Sequence, residues 1–351
     1  MTRPLNEQVV VITGASSGIG RAAALEFAKQ GASLVLAARN LNALNEVAAD
    51  VLALGGRAIA VSTDVGDWDE VRHLAAAAVT TYGRIDTWVN DAGVSVYATA
   101  EEMNIDEVEQ IMRTNFLGVV HGVQAALPYM RQQGEGTLIN IGSVESQRAL
   151  PYHAVYSASK HAVKGYTEAL RMELMHEHPG IQVTLILPSG INTPFFSHAR
   201  SRMGAQAQPF PPAYPPELVA SAIVNAAQHP QRDIYVGGAG WLFWLLERIS
   251  PALVDQLLVK GGLGFKLQRS NQPEPTSDNL YSPAEEDGTG RVEGDFAHLT
   301  KPSMYTPVAE LAPVWLRRAL LVLPTLVVPL IVLVSRNREQ QQRSRRWPLF
   351  G

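Results

Sequence analysis

The stretch VVVITGASSGIG at residues 9–20 decides the fold. It opens with an unbroken run of β-branched residues, which is typical of a buried strand. Glycines follow at Gly14, Gly18 and Gly20, where the chain would turn into a helix. Such glycines let the backbone approach a phosphate, and the helix N-terminus offers N–H donors and a positive dipole end. The stretch therefore predicts a strand, a phosphate-binding turn and a helix.

The same alternation of apolar runs and helical stretches continues to about residue 236. The predicted strands are residues 9–12, 33–38, 57–62, 85–90, 137–141, 182–187 and 233–236. The predicted helices are residues 21–30, 41–54, 67–82, 104–131, 155–178 and 217–228. Continuous apolar strands between helices indicate a parallel sheet covered on both faces. Right-handed crossovers then give a doubly wound α/β fold of about seven strands.

The position of the glycines in this fold bears on their role. Their G-x-x-x-G-x-G spacing is a variant of the dinucleotide-binding fingerprint, and it follows the first strand as that site requires. The alternative is a plain strand-to-helix turn, which the position disfavours.

Composition bounds the other functions. The chain has 351 residues, a formal net charge of −4 and no cysteine. The charge gives no reason to expect nucleic-acid binding. The missing cysteines exclude disulfides, thiolate nucleophiles and iron–sulfur clusters. Because residues 1–8 are polar, no secretory signal is visible and we expect a cytoplasmic protein.

The composition also divides the chain. Residues 1–240 form the predicted catalytic domain, which is a Rossmann fold. Residues 241–313 begin with an aromatic helix and continue as a linker or surface wrap rich in Gly, Pro and acidic residues. Residues 314–351 contain an apolar segment and a basic tail. The fold therefore carries a C-terminal extension.

Cofactor choice rests on the end of the second strand. NAD-binding enzymes usually place an acidic residue there, whereas this chain has Ala38 followed by Arg39. An arginine pairs well with the 2′-phosphate of NADP(H), and the alternative is a solvated surface arginine. The hydroxyls of Ser16 and Ser17 would add contacts. Asp64, at the end of the third strand, either lies beside the adenine or caps the next helix.

Tyr156 and Lys160 lie four residues apart on a predicted helix and share one face. A phenol has a pKa of about 10, and a neighbouring cation lowers it by favouring the phenolate. Ser143 ends the predicted fifth strand, at the edge where open α/β sheets bind ligands. These groups suit proton transfer to or from a substrate oxygen. The alternative is that the Tyr/Lys pair is an ordinary surface pair.

Together these residues resemble the short-chain dehydrogenase/reductase superfamily. The matching residues are Thr13-Gly14-x-x-x-Gly18-x-Gly20, Asp64-Val65, Asn90-Asp91-Ala92-Gly93, Asn115, Ser143, Tyr156-x-x-x-Lys160 and Pro188-Ser189-Gly190 with Thr193. They cover about residues 8–240 in the family's order and spacing. Two residues depart from the family pattern, since Asp91 stands for a usual Asn and Ser189 for a usual Gly.

The resemblance implies a role for each catalytic position. Tyr156 would exchange a proton with the substrate oxygen, and Lys160 would lower its pKa and bind the nicotinamide ribose. Ser143 would orient the substrate oxygen, and Asn115 would hold a water that joins Lys160 to solvent. No metal is needed, and we expect a homodimer or homotetramer.

The resemblance also implies the cofactor-binding residues. They are Gly14, Ser16, Ser17, Gly18, Ile19, Gly20, Arg39, Asp64, Val65, Asn90, Ala92, Gly93, Tyr156, Lys160, Pro188, Gly190, Ile191 and Thr193.

Residues 191–216 would cover the substrate. Their aromatic side chains and prolines favour a lipophilic carbonyl or alcohol, although any such cover needs apolar residues to pack. Tyr152 and His153, just before the catalytic tyrosine, either line the pocket or are simple loop residues.

A further expectation concerns the membrane. The apolar run at residues 319–334 is short for a spanning helix, contains Pro324 and Pro329, and precedes an arginine cluster. We expect a peripheral or re-entrant contact through residues 316–346 at the cytoplasmic face. Residues 241–244 would add a second patch. The alternative is that both segments pack on the body or between subunits.

The sequence thus predicts an NADP(H)-dependent oxidoreductase that interconverts a carbonyl and a secondary alcohol. One alternative is an NAD-preferring dehydrogenase. The other is a dinucleotide-sensing or scaffold protein without turnover.

Overall fold

The chain is described by a computed structural model at residues 2–283 and 290–303. The predicted membrane contact at residues 316–346 lies outside these ranges.

The described residues form a central sheet of seven parallel strands. The strands are β1 Val9–Thr13, β2 Ser33–Ala38, β3 Arg57–Ser62, β4 Thr87–Asn90, β6 Gly136–Ile141, β7 Ile181–Pro188 and β9 Asp233–Val236, and a separate pair consists of β5 Val96–Tyr97 and β8 Arg200–Ser201. The spatial order of the sheet is β3-β2-β1-β4-β6-β7-β9. The strand order reverses between β1 and β4, and a crevice for ligands forms at such a point.

Helices cover both faces of the sheet. They are α1 Gly18–Lys29, α2 Leu41–Ala53, α3 Trp68–Tyr82, α4 Ile105–Met112, α5 Gly118–Gln133, α6 Ala154–Glu177, α7 Phe195–His198 and α8 Pro216–Gln228. Buried residues of α1, α2 and α8 form one core layer, and those of α3, α5 and α6 form the other. Every residue of β1 is buried, as its uninterrupted apolar sequence predicts.

Local capping explains where α3 begins. Asp67 is its N-cap residue, and its side chain accepts hydrogen bonds from the N–H groups of Asp69 and Glu70. Asp64 instead accepts from Gly66 N at 2.8 Å, within its own turn. The alternative prediction that Asp64 caps this helix is therefore wrong.

The predicted helix at residues 104–131 is not continuous. A π-helical turn, Arg113–Leu117, separates α4 from α5. It contains Asn115, whose side chain is bonded to the backbone of Val94 in a distant loop. Extra residues in a helical turn often occur where a side chain has a function.

The extension begins with helices rather than a single aromatic helix. They are α9 Gly238–Ile249, α10 Pro251–Val259 and α11 Leu263–Lys266. Ser250 caps α10 and Pro251 is its first residue, which explains the break after α9. Arg148 anchors this region to the body, because it pairs with Glu247 at 3.1 Å and also with Asp255.

The chain then runs back across the top of the sheet. We call residues 267–283 and 290–303 the strap. Its backbone bonds to the segment after β7, where Asn279 N donates to His198 O and Gly294 N donates to Asn192 O. The predicted surface wrap is thus a packed layer over the carboxyl ends of the strands, and Leu280 and Phe296 are buried in it.

Candidate active site

A cavity of about 280 Å³ lies at the carboxyl ends of the strands, beneath the strap. Most of the predicted site residues line it. These are Gly14, Ser16, Ser17, Gly18, Ile19, Arg39, Asp64, Val65, Ala92, Gly93, Ser143, Tyr156, Lys160, Pro188, Gly190, Ile191 and Thr193. The Gly-rich turn and Tyr156 therefore line the same cavity.

The Gly-rich turn passes very close to the next strand. Gly14 has φ +72°, and a Cβ there would lie 2.9 Å from Ala92 Cα. A Cβ on Gly20 would lie 2.4 Å from Gly14 O. A side chain at Gly14 would push the turn away from the loop after β4, and one at Gly20 would collide with the turn itself, which is why the sequence has glycine here.

Three predicted site residues, Gly20, Asn90 and Asn115, do not line the cavity. Gly20 lies in the first turn of α1. Asn90 donates to Asn140 Oδ1 at 2.9 Å and accepts from Trp88 Nε1 at 2.8 Å, so it links β4 to β6. Both partners are buried.

Asn115 is the third of these residues. Its Oδ1 accepts from Val94 N at 2.8 Å, and its Nδ2 donates to Val94 O and Ser159 Oγ. A Cβ on Gly93 would lie 3.5 Å from Asn115 Oδ1 and 3.9 Å from Lys160 Nζ. Asn115 thus fixes the loop after β4 against α6, close to Lys160.

Lys160 is buried and donates from Nζ to Ile141 O at 2.9 Å. Its Nζ lies 5.7 Å from the centre of the Tyr156 ring. Burial lowers the pKa of Lys160, while the charge of Asp91 opposes this. Burial raises the pKa of Asp91, and Lys160 opposes that shift. The departure at Asp91 therefore places a carboxyl group within electrostatic reach of Lys160.

The pKa of Tyr156 does not shift in the predicted direction. Burial raises it, Glu145 raises it further, and a hydrogen bond with Ser143 opposes them. The prediction of a lowered pKa for Tyr156 is wrong for this structure, because desolvation of the phenolate outweighs any effect of the lysine. Tyr156 is consequently held as a phenol, the form that can donate a proton.

A network beside Tyr156 was not predicted from the sequence. The His153 ring stacks on Tyr156 and bonds to Glu145 at 2.9 Å and to Ser95. The sequence left open whether His153 lines the pocket or is a simple loop residue, and the structure puts it in the cavity lining. The only sequence signal was its position three residues before Tyr156, and Glu145 and Ser95 gave none.

The strap holds the end of the cavity near Arg39. The guanidinium of Arg39 donates to the backbone oxygens of Asn279 and Leu280. Gly18 N, at the start of α1, donates to Arg291 O at 3.0 Å. The strap thus binds two of the groups that a dinucleotide's phosphates would use.

Three phenylalanines form an apolar part of the cavity lining. Phe195, at the start of α7, lies 5.6 Å from the Tyr156 ring. Phe196 and Phe210 also line the space, and Phe196 packs on Phe296 of the strap. In contrast, Tyr214 belongs to the hydrophobic core and Met203 is buried beneath the cover.

A family model described as short chain dehydrogenase matches residues 8–204. The chain belongs to the short-chain dehydrogenase/reductase superfamily. It is 42% identical over 273 residues to the uncharacterized oxidoreductase YxnA of Bacillus subtilis, which covers 77% of this chain and 76% of the relative. It is 34% identical to a dehydrogenase/reductase SDR family protein 7-like of Anopheles gambiae, over 72% of this chain and 86% of the relative. The chain is therefore an oxidoreductase of this family.

Solved structures agree with this. A short-chain dehydrogenase/reductase from Burkholderia phymatum in complex with NAD superimposes with a TM-score of 0.65 and 26% identity, covering 74% of this chain and 96% of that one. A metagenomic short-chain oxidoreductase in complex with NADP gives a TM-score of 0.57 and 27% identity, covering 67% and 98%. Family members thus bind either dinucleotide.

Neither a metal-binding cluster nor a membrane-spanning helix occurs in the part of the chain that the structure describes. Residues 2–283 and 290–303 contain no group of three or more His, Asp or Glu placed to hold a metal ion. Within the same ranges, none of the helices has the length and apolarity needed to span a membrane.

Proposed function

We propose that this short-chain dehydrogenase/reductase is NADP(H)-dependent and interconverts a lipophilic carbonyl compound and its secondary alcohol. One observation carries the proposal. The Gly-rich turn, Ser143, Tyr156 and Lys160 line a single cavity at the crevice of the sheet.

The residues present fit a dinucleotide. A side chain at Gly14 would collide with Ala92, so the turn is kept narrow where a pyrophosphate would lie. The N-terminus of α1, a helix of 12 residues, lines the same cavity with Gly18 and Ile19, and a helix N-terminus favours a phosphate group. Ile19 and Thr193 would hold the phosphates and nicotinamide end respectively. When bound, NADP(H) supplies or accepts the hydride.

Proton transfer falls to this chain's own residues. Tyr156 is a phenol at neutral pH, as any tyrosine with a pKa of about 10 or higher is, and it donates its proton to the carbonyl oxygen during reduction. Ser143 Oγ accepts from Glu145 N at 3.1 Å and retains its own hydrogen to donate to the same oxygen. Lys160, adjacent to Tyr156 on α6, supplies the positive charge that stabilises the phenolate left behind.

Arg39 supports the choice of NADP(H). Ala38 offers no carboxylate to bind a ribose 2′-hydroxyl, and Arg39 lines the cavity at the same end. A guanidinium has five N–H donors, so the two strap oxygens leave donors for a 2′-phosphate.

The apolar lining supports a lipophilic substrate. Phe195, Phe196 and Phe210 line the cavity, and the ring of Phe195 lies 5.6 Å from that of Tyr156. Apolar walls of this kind favour substrates that bury hydrocarbon.

The proposal is tested by following NADPH consumption by the full chain with aliphatic and aromatic ketones of increasing size. We expect turnover that rises with substrate apolarity and is faster with NADPH than with NADH. Faster turnover with NADH would favour the NAD-preferring alternative, and equal rates would contradict a preference for NADP(H). Dinucleotide binding without turnover on any ketone would favour the sensing or scaffold alternative.

A further inference from the structure

His153 is enclosed between two tyrosine rings. Its ring centre lies 4.2 Å from that of Tyr156 with an interplanar angle of 9°, and 4.0 Å from that of Tyr97 with an angle of 18°. Only 1% of His153 is exposed. The three rings therefore form a parallel stack that ends on the tyrosine proposed to transfer the proton.

Both edges of the His153 ring are hydrogen-bonded. Nδ1 lies 2.9 Å from Glu145 Oε1, and Nε2 is bonded to Ser95 Oγ. With a proton on Nδ1 donated to the carboxylate, Nε2 accepts the Ser95 hydroxyl hydrogen. Two fixed edges prevent rotation of the ring, so the stack holds the plane of Tyr156.

Glu145 joins this stack to the residues that flank the reaction. Its backbone N–H donates to Ser143 Oγ at 3.1 Å, and its Oε2 accepts from Ser157 Oγ at 2.6 Å. Ser157 directly follows Tyr156 on α6. The backbone of Glu145 therefore holds Ser143, and its buried carboxylate holds the residue that follows Tyr156.

We propose that Glu145 and His153 are positioning residues of the reaction, which fix the Tyr156 ring and, through the charge they share, set how readily Tyr156 releases its proton. This inference rests on the proposed function of Tyr156. Neither residue needs to exchange a proton with the substrate in this role.

The charge argument follows from what faces Tyr156. Glu145 and Asp91 are the acidic groups that raise the pKa of Tyr156, after burial. Lys160 is the cation on the same helix, and Tyr97 lies beyond His153. His153 offsets the charge of Glu145 by donating a hydrogen bond to it. Removing the imidazole should leave the carboxylate to act in full, and removing the carboxylate charge should relieve Tyr156.

Two near-isosteric substitutions therefore have opposite effects. Glu145→Gln keeps an acceptor for His153 but removes the charge, so the pKa that governs alcohol oxidation should fall by about one pH unit. His153→Phe keeps a stacking ring but leaves Glu145 without this donor, so the same pKa should rise by about one pH unit. If Glu145 and His153 had a purely structural role, both substitutions would lower kcat but would not shift the two pH profiles in opposite directions.

The experiment measures pH profiles of kcat for alcohol oxidation with NADP⁺ in the full chain. The matched controls are Glu173→Gln and His176→Phe, since both residues are exposed on α6. They should leave the profile unchanged. His153→Gln provides a second variant if the phenylalanine protein does not fold. It retains a donor to Glu145, so it should keep the profile in place while kcat falls.

A second readout does not need turnover. Ultraviolet titration of tyrosinate, with the signal of Tyr156 taken as the difference from Tyr156→Phe, should show the same opposite shifts. Opposite shifts in either measurement support the inference, and unmoved or parallel shifts in both variants overturn it. Absence of turnover in the unchanged protein would instead contradict the proposed function, and the titration would still decide the role of the pair.

Discussion

We call the central sheet and its flanking helices, residues 9–236, the sheet domain. The sheet domain and the strap contribute to one cavity in different ways. The sheet domain places its site groups at strand ends, so Ser143 follows β6 and the Gly-rich turn follows β1. The strap has little regular structure, yet its backbone oxygens bind Arg39 and the first N–H of α1. The ends of the strands therefore position the side chains of the site, whereas the strap, which is distant in sequence, covers the cavity.

The two regions also differ in what holds them. The sheet domain has two large apolar layers. The strap depends on a few buried side chains and on ion pairs, such as Arg200 with Asp278 at 2.8 Å. Arg200 also pairs with the buried Glu107 at 2.7 Å, so α4, β8 and the strap meet at one charge cluster.

The largest effect should come from the sheet domain. Tyr156→Phe removes the transferable proton and leaves the ring that stacks on His153. We expect turnover to fall by about 10²–10⁴-fold while NADPH affinity, measured by fluorescence titration, stays nearly unchanged. The buried control Tyr97→Phe should retain most activity. Near-normal kcat for Tyr156→Phe would contradict proton transfer by this residue.

Arg39 lies where the two regions meet. Arg39→Ala should weaken NADPH binding by roughly ten- to a hundred-fold, because a hydrogen bond to a charged group contributes about 1.5–3 kcal/mol. NADH binding should change little, since NADH has no 2′-phosphate. Arg57→Ala, on the exposed start of β3, is the control. Equal losses for both dinucleotides would show that Arg39 holds the strap but does not discriminate between them.

Acid should loosen the strap before the sheet. Burial raises the pKa of Glu107, but hydrogen bonds from Arg202 and Arg200 outweigh burial and lower it to about 2. Because this pKa is depressed below its ordinary value of 4.5, the stabilisation is complete above about pH 4.5 and is lost as pH falls towards 2.

Hydrogen exchange of strap amides across that pH range checks this prediction. Protection at Leu280 should decrease in the unchanged protein, whereas Glu107→Gln should show weaker protection that is independent of pH. Protection in β1 should persist over the upper part of the range. A simultaneous loss in both regions would contradict a separately held strap.

The smallest expected effect concerns the tail beyond the described residues. A truncation before Leu311 should reduce sedimentation with anionic vesicles, because it removes the apolar run and its five following arginines. Added salt should weaken binding of the full chain without abolishing it, since apolar burial is not screened. The truncated protein should still bind NADPH. A full chain that ignores vesicles would favour an internal or intersubunit role for the segment.

Much of the sheet could be predicted from local sequence. The predicted strands at residues 33–38, 57–62 and 233–236 have the observed bounds. Their short runs of apolar and β-branched residues between helical stretches locate them, although β3, at the edge of the sheet, is only partly buried. The family and the seven-stranded parallel sheet are confirmed. The roles assigned to Ser143, Tyr156 and Lys160 remain predictions, although the structure brings these residues together.

The rest depended on partners that are distant in sequence. The π-turn at Asn115 is fixed by Val94, and the position of His153 is fixed by Ser95 and Glu145. The course of the strap follows from single contacts such as buried Leu280, which have no periodicity for a sequence analysis to detect. The direction of the Tyr156 pKa was mispredicted because burial in the finished cavity outweighs the lysine one helical turn away.

The strap follows the dinucleotide-binding residues in the chain, so the order of synthesis affects when a cofactor can bind. Domains fold as units from the N-terminus during synthesis, so the Gly-rich turn and Arg39 exist before the strap leaves the ribosome. A dinucleotide that arrives then meets an uncovered turn. One that arrives after release meets Gly18 N–H already bonded to Arg291 and Arg39 already bonded to Asn279 and Leu280. Since translation proceeds at roughly 5–20 residues each second, the interval between synthesis of Arg39 and synthesis of the strap is one in which the turn of a nascent chain is uncovered.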